Sequence, residues 1–160
     1  MSRKTHLIAV DPGKLSGFVV LDITQTLLDG STPDVVDSSE RGQLDTCYTV
    51  HELLSEAQSS GIVYKLVCED FIITTQTGKK TDTRYSLEII GALRYLCGLY
   101  GVKMTLQKPA EAKAFVSNDR IRNMNLWQKG GEGHMKDAMR HAIFYMTFVL
   151  NLEVEGLLSK

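Results

Sequence analysis

Apolar side chains in this chain fall into short unbroken runs, separated by longer stretches in which they recur every three or four positions. The first run, Leu7-Ile8-Ala9-Val10, ends abruptly in Asp11, turns at Pro12-Gly13 and is followed by a second from Gly17 to Asp22. A Pro-Gly pair between two runs of strand formers predicts strand, turn and strand. Residues 23–28 are expected to continue toward a third strand before 29–34 interrupts it. From Val35 to Cys47 the sequence is polar and acidic without a period, which predicts a loop, with a short edge strand near Thr46 to Val50. His51 to Ser59 reads as a short helix stopped by Gly61. Val63 to Cys68 reads as a further strand that again runs into acid, Glu69-Asp70.

Beyond Phe71-Ile72-Ile73, a polar basic loop over residues 74–83 leads into a helix from Arg84 to Tyr100, with Tyr85, Ile89, Leu93, Leu96 and Tyr100 at helical spacing. Gly91 costs that helix up to about 1 kcal/mol relative to alanine. It therefore marks a close approach, either by a helix of the same chain or by a second subunit. Gly101 ends the helix, Val102 to Leu106 form a strand, and Pro109 opens a short helix to Val116. Residues 117–133 read as a loop whose Trp127 is a packing residue more than a stacking platform. The last helix runs from His134 to Leu150. Met135, Ala142, Ile143, Met146 and Val149 belong to its apolar stripe, and His134, Asp137 and His141 share a neighbouring face. His141 either supports its polar neighbours or faces solvent. Strands alternating with helices after an opening hairpin predict one α/β domain over residues 1–160, built on a mixed sheet flanked by helices.

With 160 residues and 43% hydrophobic content, the chain can bury one core. No apolar run approaches the roughly 18–20 residues of a membrane span, and the opening residues lead into a strand rather than a signal-peptide core. A cytoplasmic protein with no membrane partner is expected. Cys47, Cys68 and Cys97 lack both disulfide and zinc spacing and read as free thiols. The net charge of -1 conceals a segregation: residues 1–70 hold 5 basic and 11 acidic side chains, residues 71–140 hold 12 and 6. A local basic surface is what phosphate binding requires, whatever the total.

The chemistry lies in the acids. Asp11 and Glu69 each close an apolar run, and Asp137 with His134 occupies the first turn of the last helix. Neighbouring strands of an open sheet present their ends side by side, and a helix packed across the sheet brings its N-terminus to the same edge. Three carboxylates and an imidazole gathered there repel one another unless divalent cations bind, and oxygen-rich donors suit Mg²⁺ or Mn²⁺. Two such ions would serve in-line attack on a phosphodiester, which is nuclease chemistry.

The Asp11-Pro12-Gly13 turn, Glu69 after Leu66-Val67-Cys68, and His134-Met135-Lys136-Asp137-Ala138 opening the final helix resemble the RuvC group of Holliday-junction resolvases, within the ribonuclease H-like fold. The resemblance implies a homodimer that nicks opposing strands of a four-way DNA junction with two Mg²⁺ ions per site, Mn²⁺ substituting. The short length and divergent middle resemble a phage or plasmid version, with host or phage recombination proteins as partners. It implies Asp11 and Asp137 as bridging metal ligands, Glu69 as ligand to one metal and His134 to the other. Asp70 replaces Glu69 if the strand register slips by one. Family members often carry an aromatic three residues after this acid. Here Phe71 stands two residues on, so its burial in the sheet is expected rather than base stacking. DNA contacts are expected from Lys79, Lys80, Arg84 and Lys108, with Lys113, Arg120, Arg122 and Lys129 as a broader set. The rival reading keeps the fold and changes the substrate to RNA, RNA-DNA hybrid or flapped DNA.

Overall fold

A computed structural model describes residues 3–76, 83–130 and 133–157. Its elements in chain order are β1 (Thr5–Asp11), β2 (Leu15–Asp22), α1 (Thr26–Asp29), β3 (Asp34–Gly42), α2 (Gln43–Ser60), β4 (Val63–Glu69), α3 (Thr83–Tyr100), β5 (Met104–Gln107), α4 (Pro109–Phe115), α5 (Asn118–Asn123) and α6 (His134–Phe148). The strands form one five-stranded sheet in the order β3-β2-β1-β4-β5. β1 pairs antiparallel with β2 and parallel with β4, β2 pairs antiparallel with β3, and β4 pairs parallel with β5. This is the expected α/β mixed sheet.

Every residue of central β1 is buried, which is why its sequence is a nearly continuous apolar run rather than an alternation. Its side chains still divide between two faces. Leu7 and Ala9, with Val19, Leu21 and Val67, pack against Met135, Ala138, Met139 and Ala142 of α6. Ile8 and Val10, with Phe18, Val20, Leu66 and Cys68, pack against Val50 and Leu54 of α2 and Ile89 and Leu93 of α3. The sheet is thus a middle layer between α6 on one side and the α2–α3 pair on the other. Among the described residues no helix is long and apolar enough to cross a membrane.

Four local expectations are corrected. Residues 23–28 do not extend toward a strand; Thr26–Asp29 is a single helical turn closed by Gly30 at φ 77°. Residues 35–42 are not a loop but most of β3, an edge strand whose Val36 is 53% exposed, and whose half-exposed side chains mask the usual alternation. No edge strand lies at Thr46 to Val50. That segment is the start of α2, whose buried stripe Thr46, Val50 and Leu54 begins with a threonine that reads as polar. Finally, residues 117–133 contain α5, opened by Ser117, whose hydroxyl accepts from the Arg120 amide at 3.2 Å.

Candidate active site

The pairing register gathers the site. Asp11 lies opposite Gly17 on β2, and Gly17 lies opposite Glu40 on β3. On the other side Val10 pairs with Cys68, so the next step sets Asp11 beside Glu69, which is itself opposite Gln107. Glu40, Gly17, Asp11, Glu69 and Gln107 therefore form one row across the sheet. Asp11 continues the face of Leu7 and Ala9 against which α6 packs.

Gly17 explains how the helix reaches that row. A Cβ built there would stand 1.9 Å from the His134 carbonyl oxygen and 2.7 Å from the Met135 amide nitrogen. Only glycine lets the first turn of α6 lie directly on the sheet beside Asp11. The Asp-Pro-Gly turn is pinned from the opposite layer, where the Ser86 hydroxyl of α3 donates to the Pro12 carbonyl at 2.8 Å.

Each predicted site residue has a defined partner. His134 Nδ1 lies 2.8 Å from Asp11 Oδ2. His141, on the turn after Asp137, lies 2.8 Å from Glu69 Oε2 through Nε2 and 2.9 Å from the Gln107 side chain through Nδ1. Asp137 is held by Lys113 Nζ at 2.8 Å and by the Arg140 guanidinium. Arg140 is itself tied to the Val116 carbonyl at 3.0 Å and to the Asn118 side chain. Glu69 is the last residue of β4 and is the acid that His141 meets. Asp70 follows the strand, and its amide donates to the Gln107 carbonyl at 2.7 Å.

The electrostatics centre on one deeply buried carboxylate. Asp11 is only 5% exposed. Burial pushes its carboxyl above the ordinary range, and the charges of Glu69 and Asp137 push the same way, against the hydrogen bond and charge of His134. The His134 imidazole is held above its usual value first by its hydrogen bond to Asp11, with the charges of Asp11, Glu40 and Asp137 helping against burial. Burial acts to lower Lys113, but the hydrogen bond and charge of Asp137, backed by Glu69 and Asp11, more than reverse it. Cys68 is buried, and burial followed by the nearby carboxylates pushes its thiol well above the ordinary range, away from the reactive thiolate form.

As placed, the acids serve as ion-pair partners. Among the described residues no three His, Cys, Asp or Glu side chains stand close enough together to hold one metal ion. The donor set nonetheless fits a hard divalent cation. Asp11 feels the charges of Glu69 and Asp137, and four cationic or imidazole side chains, His134, His141, Lys113 and Arg140, have collected around the three acids.

Gly17, Ser86 and Arg140 escape sequence reading, and so do two side chains of the carboxylate row. Glu40, whose Oε1 lies 3.5 Å from the Met135 amide at the start of α6, belongs to a stretch with no strand signal. Gln107 gives no sign of its role until β5 is placed beside β4. Of the expected DNA-contacting cations, Lys79 and Lys80 lie outside the described residues. Arg84 packs on Tyr85, 4.9 Å from the ring centre. Lys108 is exposed and 4.0 Å from Glu111. Trp127 is a packing residue, half-buried against the α6-side core and flanked by Arg122 at 4.1 Å and Lys136 at 4.6 Å. Phe71 is likewise packed against the core beneath α2 and α3, whereas Ile73 is 65% exposed.

A mixed five-stranded sheet flanked by helices in this order is the ribonuclease H-like α/β fold. Among solved structures, the chain is similar to the RuvC of Thermus thermophilus in complex with Holliday junction substrate, with a TM-score of 0.64 at 12% identity over 92% of this chain and 96% of that one. It matches another Thermus thermophilus RuvC structure with a TM-score of 0.64 at 12% identity, over 91% and 96% of the two chains. No protein-family model and no curated protein matches the sequence.

Proposed function

We propose that this chain is a divalent-metal-dependent endonuclease that resolves four-way DNA junctions as a homodimer. The observation that carries the reading is the row that sets buried Asp11 beside Glu69 under the first turn of α6, in a fold shared with a junction-bound RuvC. Asp11, Glu69, His134 and Asp137 would hold the ions, Asp137 exchanging Lys113 and Arg140 for metal. Bound Mg²⁺ or Mn²⁺ would supply an activated water and stabilise the leaving oxygen. The chain's own contribution is placement. Gly17 seats α6, Ser86 fixes the turn after Asp11, and Arg140 ties the Asp137 turn to the α4–α5 segment. Arg84 and Lys108, with Lys79 and Lys80, are assigned to phosphate contacts, which neutralise charge without reading sequence.

Two opposed nicks need two sites, and the outer face of α2 and α3 suits a second copy. Leu44, Tyr48, Leu99 and the 71% exposed Tyr95 lie bare there. Among the described residues Gly91 meets no neighbour within 4 Å where its Cβ would stand, which leaves that face open to a second copy.

Incubating the protein with a four-way junction, a fork, a linear duplex and an RNA-DNA hybrid, each with Mg²⁺ or EDTA, tests the proposal. Paired nicks in the junction, absent in EDTA, are expected. A preference for the hybrid would favour the ribonuclease reading, and indifference to branching would exclude a resolvase. In sedimentation, Tyr95→Glu is expected to shift a dimer to monomer and to abolish pairing of the nicks.

A further inference from the structure

The α6 imidazole that the nuclease reading leaves unused is the most enclosed polar side chain of the site. His141 is 0% exposed, yet both its ring nitrogens meet side chains at the ends of two different strands. Glu69 and Gln107 are themselves register partners across β4 and β5, so helix and sheet close a small triangle. Packing alone would be served as well by leucine, which needs no partners in a buried position.

The hydrogen inventory gives the triangle a direction. A carboxylate only accepts, so His141 Nε2 carries the hydrogen at 2.8 Å from Glu69 Oε2. In the neutral ring Nδ1 is then an acceptor and requires a donor. Beside it stands the Gln107 amide, whose buried Nε2 has no other hydrogen-bond partner among the described residues. As placed, Oε1 faces Nδ1, but the two ends of an amide have the same shape, and turning the NH₂ toward the ring gives Nδ1 its donor and the amide Nε2 its acceptor. The amide donates to Nδ1, Nε2 donates to the carboxylate, and one oxygen of Glu69 is fixed from behind.

Resting on the nuclease reading, we propose that His141, locked in its Nε2–H tautomer by Gln107, is a positioning residue that holds Glu69 in the orientation a metal ion requires. Carboxylates oriented in this way lose about 10–100-fold in metal affinity when the supporting group is removed.

Calorimetric titration of Mn²⁺ into the DNA-free protein tests this. His141→Leu is expected to bind Mn²⁺ about 10–100-fold more weakly while melting cooperatively and binding a junction in EDTA as the parent does. His141→Gln, which keeps an N–H donor, is expected to recover most of the loss. A crystal structure of His141→Leu should show the Glu69 carboxylate displaced. The proposal is overturned if folded His141→Leu binds Mn²⁺ like the parent, or if an equally stable His141→Gln is no better than His141→Leu. Failure of the parent to bind Mn²⁺ would instead count against the nuclease reading. The placement of Glu69 in the His141→Leu crystal would then decide the positioning role alone, and an unmoved carboxylate would sink it.

Discussion

Asp11 and Asp22 belong to the same pair of strands, at opposite ends, and their surroundings are opposite in sign. Asp22 pairs with His6 in the β1–β2 ladder. It accepts from the Thr24 amide at 3.0 Å and the Thr24 hydroxyl at 2.6 Å, with His6 and Lys4 nearby. Burial acts to raise its pKa, but those hydrogen bonds and charges outweigh it and hold the carboxyl below its ordinary range. Asp11 is more deeply buried and faces two further carboxylates, which together with burial hold it above that range. One end of the hairpin is satisfied by the chain itself. The other pairs with His134 yet stays above its ordinary range, and a local strain of this kind is tolerated where function makes use of it.

Neutralising the two carboxyls should therefore have opposite effects, and Asp11 should give the largest. Asp11→Asn is expected to reduce Mg²⁺-dependent junction cleavage on the order of a thousandfold or more while leaving junction binding in EDTA intact. A carboxyl whose folded-state pKa is raised takes up protons more readily in the folded state, so its ionised form destabilises the fold at neutral pH. The same variant should accordingly be more stable by about 1 kcal/mol, or about 2–4 °C in melting temperature. Retained cleavage, or a clear fall in melting temperature, would remove the basis for treating this end as a cation site.

Gly17→Ala attacks the geometry rather than the charge. Its methyl would overlap the backbone of His134 and Met135, which cannot rotate away. A loss of about 3 kcal/mol or more is expected, with Asp11 and His134 separated even in the fraction that stays folded. A melting temperature unchanged from the parent would mean that α6 does not rest on β2 as described.

These two sites also mark what the sequence made legible. Asp11 and Glu69 announce themselves because acids closing apolar runs need an explanation, Asp137 because it shares a polar helix face with two histidines, and the central strands, α3 and α6 follow from unbroken or helically spaced apolar residues. Gly17 passes unnoticed, since its role is a contact with a helix more than a hundred residues away. β3 hides because an edge strand half in solvent loses its alternation, and with it goes Glu40. The front of α2 hides because Thr46, buried on the core side, satisfies its hydroxyl on the Gly42 carbonyl at 3.0 Å and so behaves as an apolar residue. His134, Asp137 and His141 were legible as one helix face. Their divergence to three different partners depends on strand order, which no local pattern encodes.

At the satisfied end the expected changes are smaller. Asp22→Asn keeps the shape but replaces two charge-assisted hydrogen bonds from Thr24 by neutral ones. It should cost about 1–2 kcal/mol in urea denaturation at pH 7. Cleavage of a junction should persist, because no side chain of the carboxylate row touches Asp22. Stabilisation by this variant would make the two ends alike and dissolve the contrast.

The smallest effect isolates His6, the partner on β1. Its ring is 5% exposed and stands edge-on to Tyr64 at 5.4 Å, and among the described residues its nearest polar partner is Asp22, whose Oδ2 lies a long 3.5 Å from Nε2. Burial lowers its pKa below the ordinary 6.5, and Asp22 only partly offsets this. The sign follows directly: the unfolded chain takes up the proton more readily, so stability is complete above about pH 6.5 and falls as the pH drops from there toward the lowered folded value. His134, whose value is raised, works in the other direction. The parent must therefore be compared with a variant rather than judged by its own slope. His6→Phe keeps the packing against Tyr64 and removes the titration. Urea midpoints at pH 7.5 and 5.5 should fall less in His6→Phe than in the parent, and equal falls would show that the buried ring is not the group that senses acid.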